Sequence, residues 1–193
     1  MNIILASKSK RRKELLGKIN IKFKVIDSKF NESKIKSFDI APNKLCQSLA
    51  FEKANKVSIK HKNDLIIGAD TIVYKDGRIL GKPKTKVEAF SHLSLLSGTT
   101  HEVYTAVHIL NKNKNINKRL IDKTKVTFYK LNKDEKNYYI NNCNPFDKAG
   151  SYGIQGWSAI FVKNIQGCFY NVVGFPLPKF YKLFKNFLLK IKD

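Results

Sequence analysis

The chain has 193 residues, 42% of them hydrophobic and 11% aromatic, enough for one good core or two small lobes. No apolar run approaches the ~20 residues that cross a bilayer, Ile3 to Ala6 is too short for the apolar part of a secretory leader, and Cys46, Cys143 and Cys168 are far apart with no CxxC pattern; a cytoplasmic protein without membrane spans, disulfide framework or zinc site is expected. The net charge of +22 is almost all lysine, spread along the chain among Asn and Ile, with arginine only at positions 11, 12, 78 and 119, whereas a nucleic-acid surface clusters its basic residues and reads bases with arginine.

The first element is an apolar run, Ile3 to Ala6, followed by Ser7-Lys8-Ser9 and an amphipathic segment headed by Arg11 and Arg12. This pattern predicts a strand, a tight loop and a helix N-capped by Ser9. Two arginines at the positive end of a helix dipole are unfavourable by about 0.3–1 kcal/mol each. They make sense if an anion binds there, where loop amides, hydroxyls and guanidiniums converge; the plainer alternative is a solvated basic turn.

Residues 22–27 alternate and predict a strand, and Ser28 to Pro42 a polar loop carrying Glu32. Asn43 to Ile59 predicts a helix with Leu45, Leu49, Ala50 and Ala54 as its stripe. Asp64 to Tyr74 is the strongest internal strand, with Gly68-Ala69-Asp70-Thr71 bracketed by Ile67, Ile72 and Val73. A carboxylate in an apolar strand is costly to bury unless it is paired, metal-bound or at a cleft, so Asp70 is a site candidate; otherwise the strand ends at Gly68 and Asp70 lies in a turn. Asp76-Gly77 predicts a hairpin, Gly81-Lys82-Pro83 a turn presenting Lys82, and Thr85 to Glu88 a capping box opening a helix that stops at Gly98.

His101 to Leu110 and Ile121 to Leu131 predict two further strands with a polar loop, Asn111 to Lys118, between them. Asn132 and Glu135 start a short helix. Gly150 to Gly156 is a glycine-rich loop able to wrap a ligand with backbone amides, or only a bulged turn. Ser158 to Val162 and Cys168 to Val173 predict closing strands. Pro176 to Ile191 predicts a terminal helix whose Phe180, Leu183, Phe184, Phe187, Leu188 and Ile191 share one face. Together, the Ser-x-Ser-x-Arg-Arg loop, Asp70, Lys82 and the glycine-rich loop supply the cations, amides and carboxylates that phosphoanhydride hydrolysis needs. There is no GxxxxGK[ST] P-loop. Without His or Cys at metal-ligand spacing, a metal here would be a hard, oxygen-bound cation, Mg²⁺ or Mn²⁺.

These segments, with Ala50-Phe51-Glu52-Lys53-Ala54, Ser97 to His101 with Thr105, and Asn171 to Leu177, resemble in order the Maf-like nucleotide pyrophosphatases over nearly the whole chain. The resemblance implies a single Maf-like domain over residues 1–193, an α/β fold with a mixed curved central sheet flanked by helices, and two lobes with a deep cleft. It implies hydrolysis of nucleoside triphosphates to the monophosphate and pyrophosphate with a divalent cation. Asp70 matches the proton acceptor, and Glu32 and Lys82 match acidic and basic residues lining the same cleft; either Glu32 and Asp70 hold one or two divalent ions or Asp70 activates the attacking water directly, two roles that residue order does not separate. Ser7, Ser9, Arg12 and Lys53 match substrate-binding positions. Arg11, Thr71 and Gln155 match the positions of base choice in the dTTP/UTP branch. Lys10 stands where a proline is commoner. A homodimer and a link to septum control are further implications. A pyrophosphatase for other or modified nucleotides, and a basic nucleic-acid-binding regulator without catalysis, remain the alternatives.

Overall fold

A computed structural model describes residues 1–32, 35 and 40–192, with side chains through Lys185. Part of the predicted loop from Ser28 to Pro42, and the side chains of Phe187, Leu188 and Ile191, lie outside the described residues. The chain runs β1 (Ile3–Ala6), α1 (Lys10–Gly17), β2 (Lys24–Val25), α2 (Pro42–Ser58), β3 (Leu65–Lys75), β4 (Arg78–Leu80), α3 (Lys86–Leu96), β5 (Thr100–Asn111), β6 (Ile116–Phe128), α4 (Lys133–Asn142), β7 (Val162–Gln166), α5 (Phe169–Val173) and α6 (Leu177–Lys192). The seven strands make one mixed sheet in the order β2-β1-β3-β5-β6-β7, with β4 beside β3. β1 is parallel to both β2 and β3, with Ala6 opposite Gly68; parallel neighbours need a crossover, which the helical connection through α2 supplies. β3–β4 and β6–β7 are antiparallel.

Two compact units divide the chain. The first holds Met1–Asp70, Thr105–Asp122 and Gly174–Asp193; the second holds Thr71–Tyr104 and Lys123–Val173. Three of the four boundaries fall inside β3, β5 and β6 and the last follows α5, which explains why no composition shift or linker marks the strand boundaries. In the first unit, Ile4, Ala6, Ala54, Val57, Ile66 and Leu110 form a core against which Phe51 packs. Phe180 and Phe184 of α6 are buried and stack, as the stripe predicts. In the second, Val73, Leu93, Val103, Val126, Phe128, Tyr139 and Phe161 lie in one cluster.

β3 passes through Gly68 and Asp70 without a break, so Asp70 is a buried strand residue rather than part of a turn. Four local expectations need correction. The strand expected over 22–27 is only Lys24–Val25. The polar loop expected from Asn111 to Lys118 shrinks to the turn at 112–115: β5 runs through Asn111, and β6 begins at Ile116 and ends at Phe128, three residues before Leu131. A four-residue turn suffices because Asn111 Oδ1 accepts the Lys114 N–H at 2.8 Å and Asn115 adopts a left-handed φ of 50°, a conformation asparagine tolerates. Trp157–Phe161 is a short 3-10 turn rather than a strand, folded back by the Ser158 hydroxyl onto Gly153. Cys168 to Val173 contains α5 instead of a strand. The chain turns at Gly167, and the buried Asn171 amide donates to Val103 O at 3.0 Å and Thr124 Oγ1 at 2.9 Å. These tertiary bonds override the strand preference of Val172-Val173. The capping box at Thr85 is half formed. Thr85 Oγ1 accepts the Glu88 N–H at 3.1 Å, but Glu88 itself accepts from Lys84 N one residue early.

The fold also buries His101 on β5. Burial, with the charge of Lys75 second, pushes its pKa down to about 3. A histidine kept neutral in the fold and ordinary when unfolded stabilises fully above its unfolded pKa of about 6.5 and loses that contribution as pH falls toward 3. Below pH 6.5 His101 should therefore cost stability at up to about 1.4 kcal/mol per pH unit. Urea midpoints measured from pH 7.5 to 5, above most carboxylate titration, should fall, and fall less steeply in His101→Gln. Identical slopes would remove His101 from the acid sensitivity.

Candidate active site

The loop after β1 is built by its own serines. Ser9 N-caps α1, its hydroxyl accepting the Arg12 N–H at 3.3 Å, and its own N–H donates to Ser7 Oγ at 3.2 Å. Lys10 is the first residue of the helix so capped. The half-buried Arg12 guanidinium donates from Nε to Gly174 O at 2.9 Å and from Nη1 to Ser7 Oγ at 3.4 Å. Burial lowers the Arg12 pKa, with Asp70 acting the other way. An arginine so held is oriented before any ligand arrives, and a buried guanidinium gains most from an anion. Arg11 is half-buried beside it.

Lys53 and Asp70 form a buried ion pair in the first unit. Gly68 lets α2 lie close against β3: a Cβ there would stand 2.7 Å from Ala54 N and 2.8 Å from Ala54 Cβ, and closer still to Ala50 O. Lys53 sits on the same buried side of α2, and Asp70, two residues beyond Gly68, faces it. Lys53 is 9% exposed and Asp70 6%. The Lys53 ammonium pairs with Asp70 Oδ1 and, at 2.7 Å, with Glu32 Oε1. Burial pulls the Lys53 pKa down, but Asp70 and then Glu32 outweigh it against the opposing charge of Arg12, and the net shift is upward. Lys53 is therefore an ammonium at any physiological pH and cannot act as a base. Cys46 donates to the Asp70 carbonyl at 3.3 Å; burial, and then the Asp70 charge, push its thiol upward, so it packs and is no nucleophile.

Two carboxylates converging on one cationic point are the donor chemistry of a hard divalent ion, which completes its shell with water and substrate oxygens. Glu32 and Asp70 have that donor chemistry, but both already pair with the Lys53 ammonium, so a divalent ion would have to share the two carboxylates with it. Among the described residues no cluster of three or more His, Cys, Asp or Glu exists that would build an all-protein cage.

Lys82, Thr71 and Gln155 belong to the second unit. Lys82 is exposed just after β4, Gln155 is exposed in the glycine-rich loop, and Thr71 is half-buried on β3. The Gly150 N–H donates to Gly81 O at 3.0 Å, tying that loop to the turn that carries Lys82. The role of Lys53 as the shared cation of two carboxylates was not legible from sequence, because it depends on Gly68 admitting α2. Nor was Gly174 as the acceptor of Arg12.

A family profile described as Maf-like protein matches residues 2–187. The chain belongs to that family. This Maf-like chain is 46% identical over 185 residues to a protein of Bacillus mycoides named dTTP/UTP pyrophosphatase, covering 96% of this chain and 95% of that one. It is 47% identical over 184 residues to a Bacillus cytotoxicus protein of the same name, covering 95% and 94%. Among solved structures, a nucleoside-triphosphatase / dITP/XTP pyrophosphatase from Mycobacterium abscessus shares 11% identity at a TM-score of 0.40 over 68% of this chain and 76% of that one, a likeness too slight to bear on function.

Proposed function

We propose that this Maf-like protein is a nucleoside triphosphate pyrophosphatase that converts dTTP and UTP to the monophosphate and pyrophosphate. The observation that carries the reading is the Lys53-bridged pair of Asp70 and Glu32 in the same unit as a pre-oriented Ser7–Arg12 loop, together with near-full-length relatives of that name. The Ser7–Arg12 loop and Lys82 offset the triphosphate charge. Asp70 takes the proton of the attacking water, its carboxylate aimed by Lys53. Glu32 and Asp70 would hold a Mg²⁺ or Mn²⁺ ion, which when bound supplies positive charge to the phosphates and the leaving pyrophosphate. Arg11, Thr71 and Gln155 read the base. A cytoplasmic homodimer goes with the same reading, and the scattered lysines argue against a nucleic-acid partner.

Pyrophosphate release should be measured over dTTP, UTP, CTP, ATP, GTP and modified purine triphosphates with Mg²⁺ or Mn²⁺. dTTP and UTP should lead by about tenfold or more in kcat/KM, a difference of about 1.4 kcal/mol. A lead for modified purines, or no hydrolysis beside a salt-dependent shift of DNA or RNA, overturns the proposal. Arg11→Ala should flatten base preference, whereas Arg12→Ala should weaken every triphosphate alike. Equal losses with preference unchanged in both would refute that division.

A further inference from the structure

The sequence motif around His101 finds no use in the reaction proposed above, and neither do His92, Ser151 or Tyr152. All four lie in the second unit and meet at the loop that carries Gln155. His101 Nε2 and the Tyr152 hydroxyl are 2.8 Å apart, and both residues are buried. His92 Nδ1 and Ser151 Oγ are also 2.8 Å apart. Downstream, Ser158 Oγ accepts the Gly153 N–H at 3.2 Å and donates to the Gly153 carbonyl at 2.7 Å, closing a ring of residues 153–158 around Gln155. Tyr152 and Ile154 point inward while Gln155 is exposed at the tip.

Glu88, His92 and Ser151 follow the order of a hydrolytic triad, with His92 Nε2 3.9 Å from Glu88. Ser151 is 0% exposed, however, so no substrate reaches its hydroxyl. It holds a left-handed φ of 66°, a conformation costly for a serine unless its surroundings fix it. The contact with His92 is therefore a fastening. The His101 contact has a further cost: its Nδ1 is buried with no hydrogen-bond partner among the described residues. Replacing both partners of such a bond by apolar groups of similar shape is often near neutral for stability, so stability alone does not account for the polar pair.

We propose that His101 and Tyr152 are positioning residues for base selection, fixing the loop so that Gln155 meets the pyrimidine in one orientation. This rests on the reading of Gln155 as a base-contacting residue. A misplaced hydrogen-bonding group on a fixed loop costs discrimination more than it costs phosphate chemistry.

The test compares wild type, Tyr152→Phe, the double variant His101→Leu with Tyr152→Phe, and Gln155→Ala by kcat/KM for dTTP, UTP and CTP, with melting temperatures. The expected result is a fall of about tenfold in the dTTP-to-CTP ratio for both clasp variants, read mainly as a rise in KM for dTTP. The double variant should melt within a few degrees of wild type. If it melts there and keeps the wild-type ratio while Gln155→Ala loses it, the clasp is structural and the inference falls alone. If Gln155→Ala keeps the ratio, or wild type shows none, the reading of Gln155 falls and takes the inference with it.

Discussion

Asp70→Asn should lower kcat for dTTP and UTP by about 10³-fold, within the range of 10²–10⁴ that a positioned general base supplies. The change keeps volume and shape in a 6% exposed strand position. It removes the charge proposed to take the proton and one of the two carboxylates proposed to hold the cation. Breaking a buried ion pair normally costs about 3–5 kcal/mol because one charge is stranded. Here Lys53 keeps Glu32 at 2.7 Å, so its ammonium is not stranded. The melting temperature should then move little while turnover collapses. Asp70→Glu should not restore activity, since the extra methylene has to fit a site flanked by Lys53 and the buried side of α2. The decisive measurement pairs steady-state kinetics with thermal melting. Folded Asp70→Asn protein with kcat within tenfold of wild type would remove Asp70 from the chemistry. An unfolded variant would make the Lys53–Asp70 pair a structural element first. Mn²⁺ affinity by titration calorimetry adds an independent reading, and should fall in both Asp70→Asn and Glu32→Gln.

Much of this centre could be read from residue order because the constraints are local. Ser9 caps α1 through a bond three residues away, and Asp70 betrays itself as a carboxylate inside an apolar strand. The terminal stripe through Phe180 and Phe184 follows from the period of 3.6 alone. What residue order did not show depends on partners far away in the chain. Asn171 turns an apparent Val-Val strand into α5 by reaching Val103 and Thr124, 68 and 47 residues away. Arg12 finds Gly174 across 162 residues. The division into two units is invisible for a related reason: three of its boundaries cut through the middle of strands, where no turn or linker intervenes.

Gly68→Ala should be among the most damaging single-methyl changes in the chain. The new Cβ would meet the backbone N of Ala54, the backbone O of Ala50 and the Cβ of Ala54. None of these is the far end of a flexible side chain, so relief requires α2 to move off β3. Overpacking of this kind costs about 3 kcal/mol or more when backbone must shift. For a chain of this size that lowers the melting temperature by about 6–12 °C, at about 2–4 °C per kcal/mol. The displacement also has a direction. Lys53 rides on α2 between Ala50 and Ala54, so moving the helix withdraws its ammonium from Asp70 on the facing strand. The protein that still folds should therefore lose turnover as well as stability. Ala54→Gly in the same background removes one of the three clashes and should recover part of both losses together, because a single movement causes them. Recovery of stability without turnover would mean that Lys53 reaches Asp70 regardless of where α2 lies. A Gly68→Ala protein with wild-type melting and kcat would mean that the close approach of α2 to β3 is not what sets the pair.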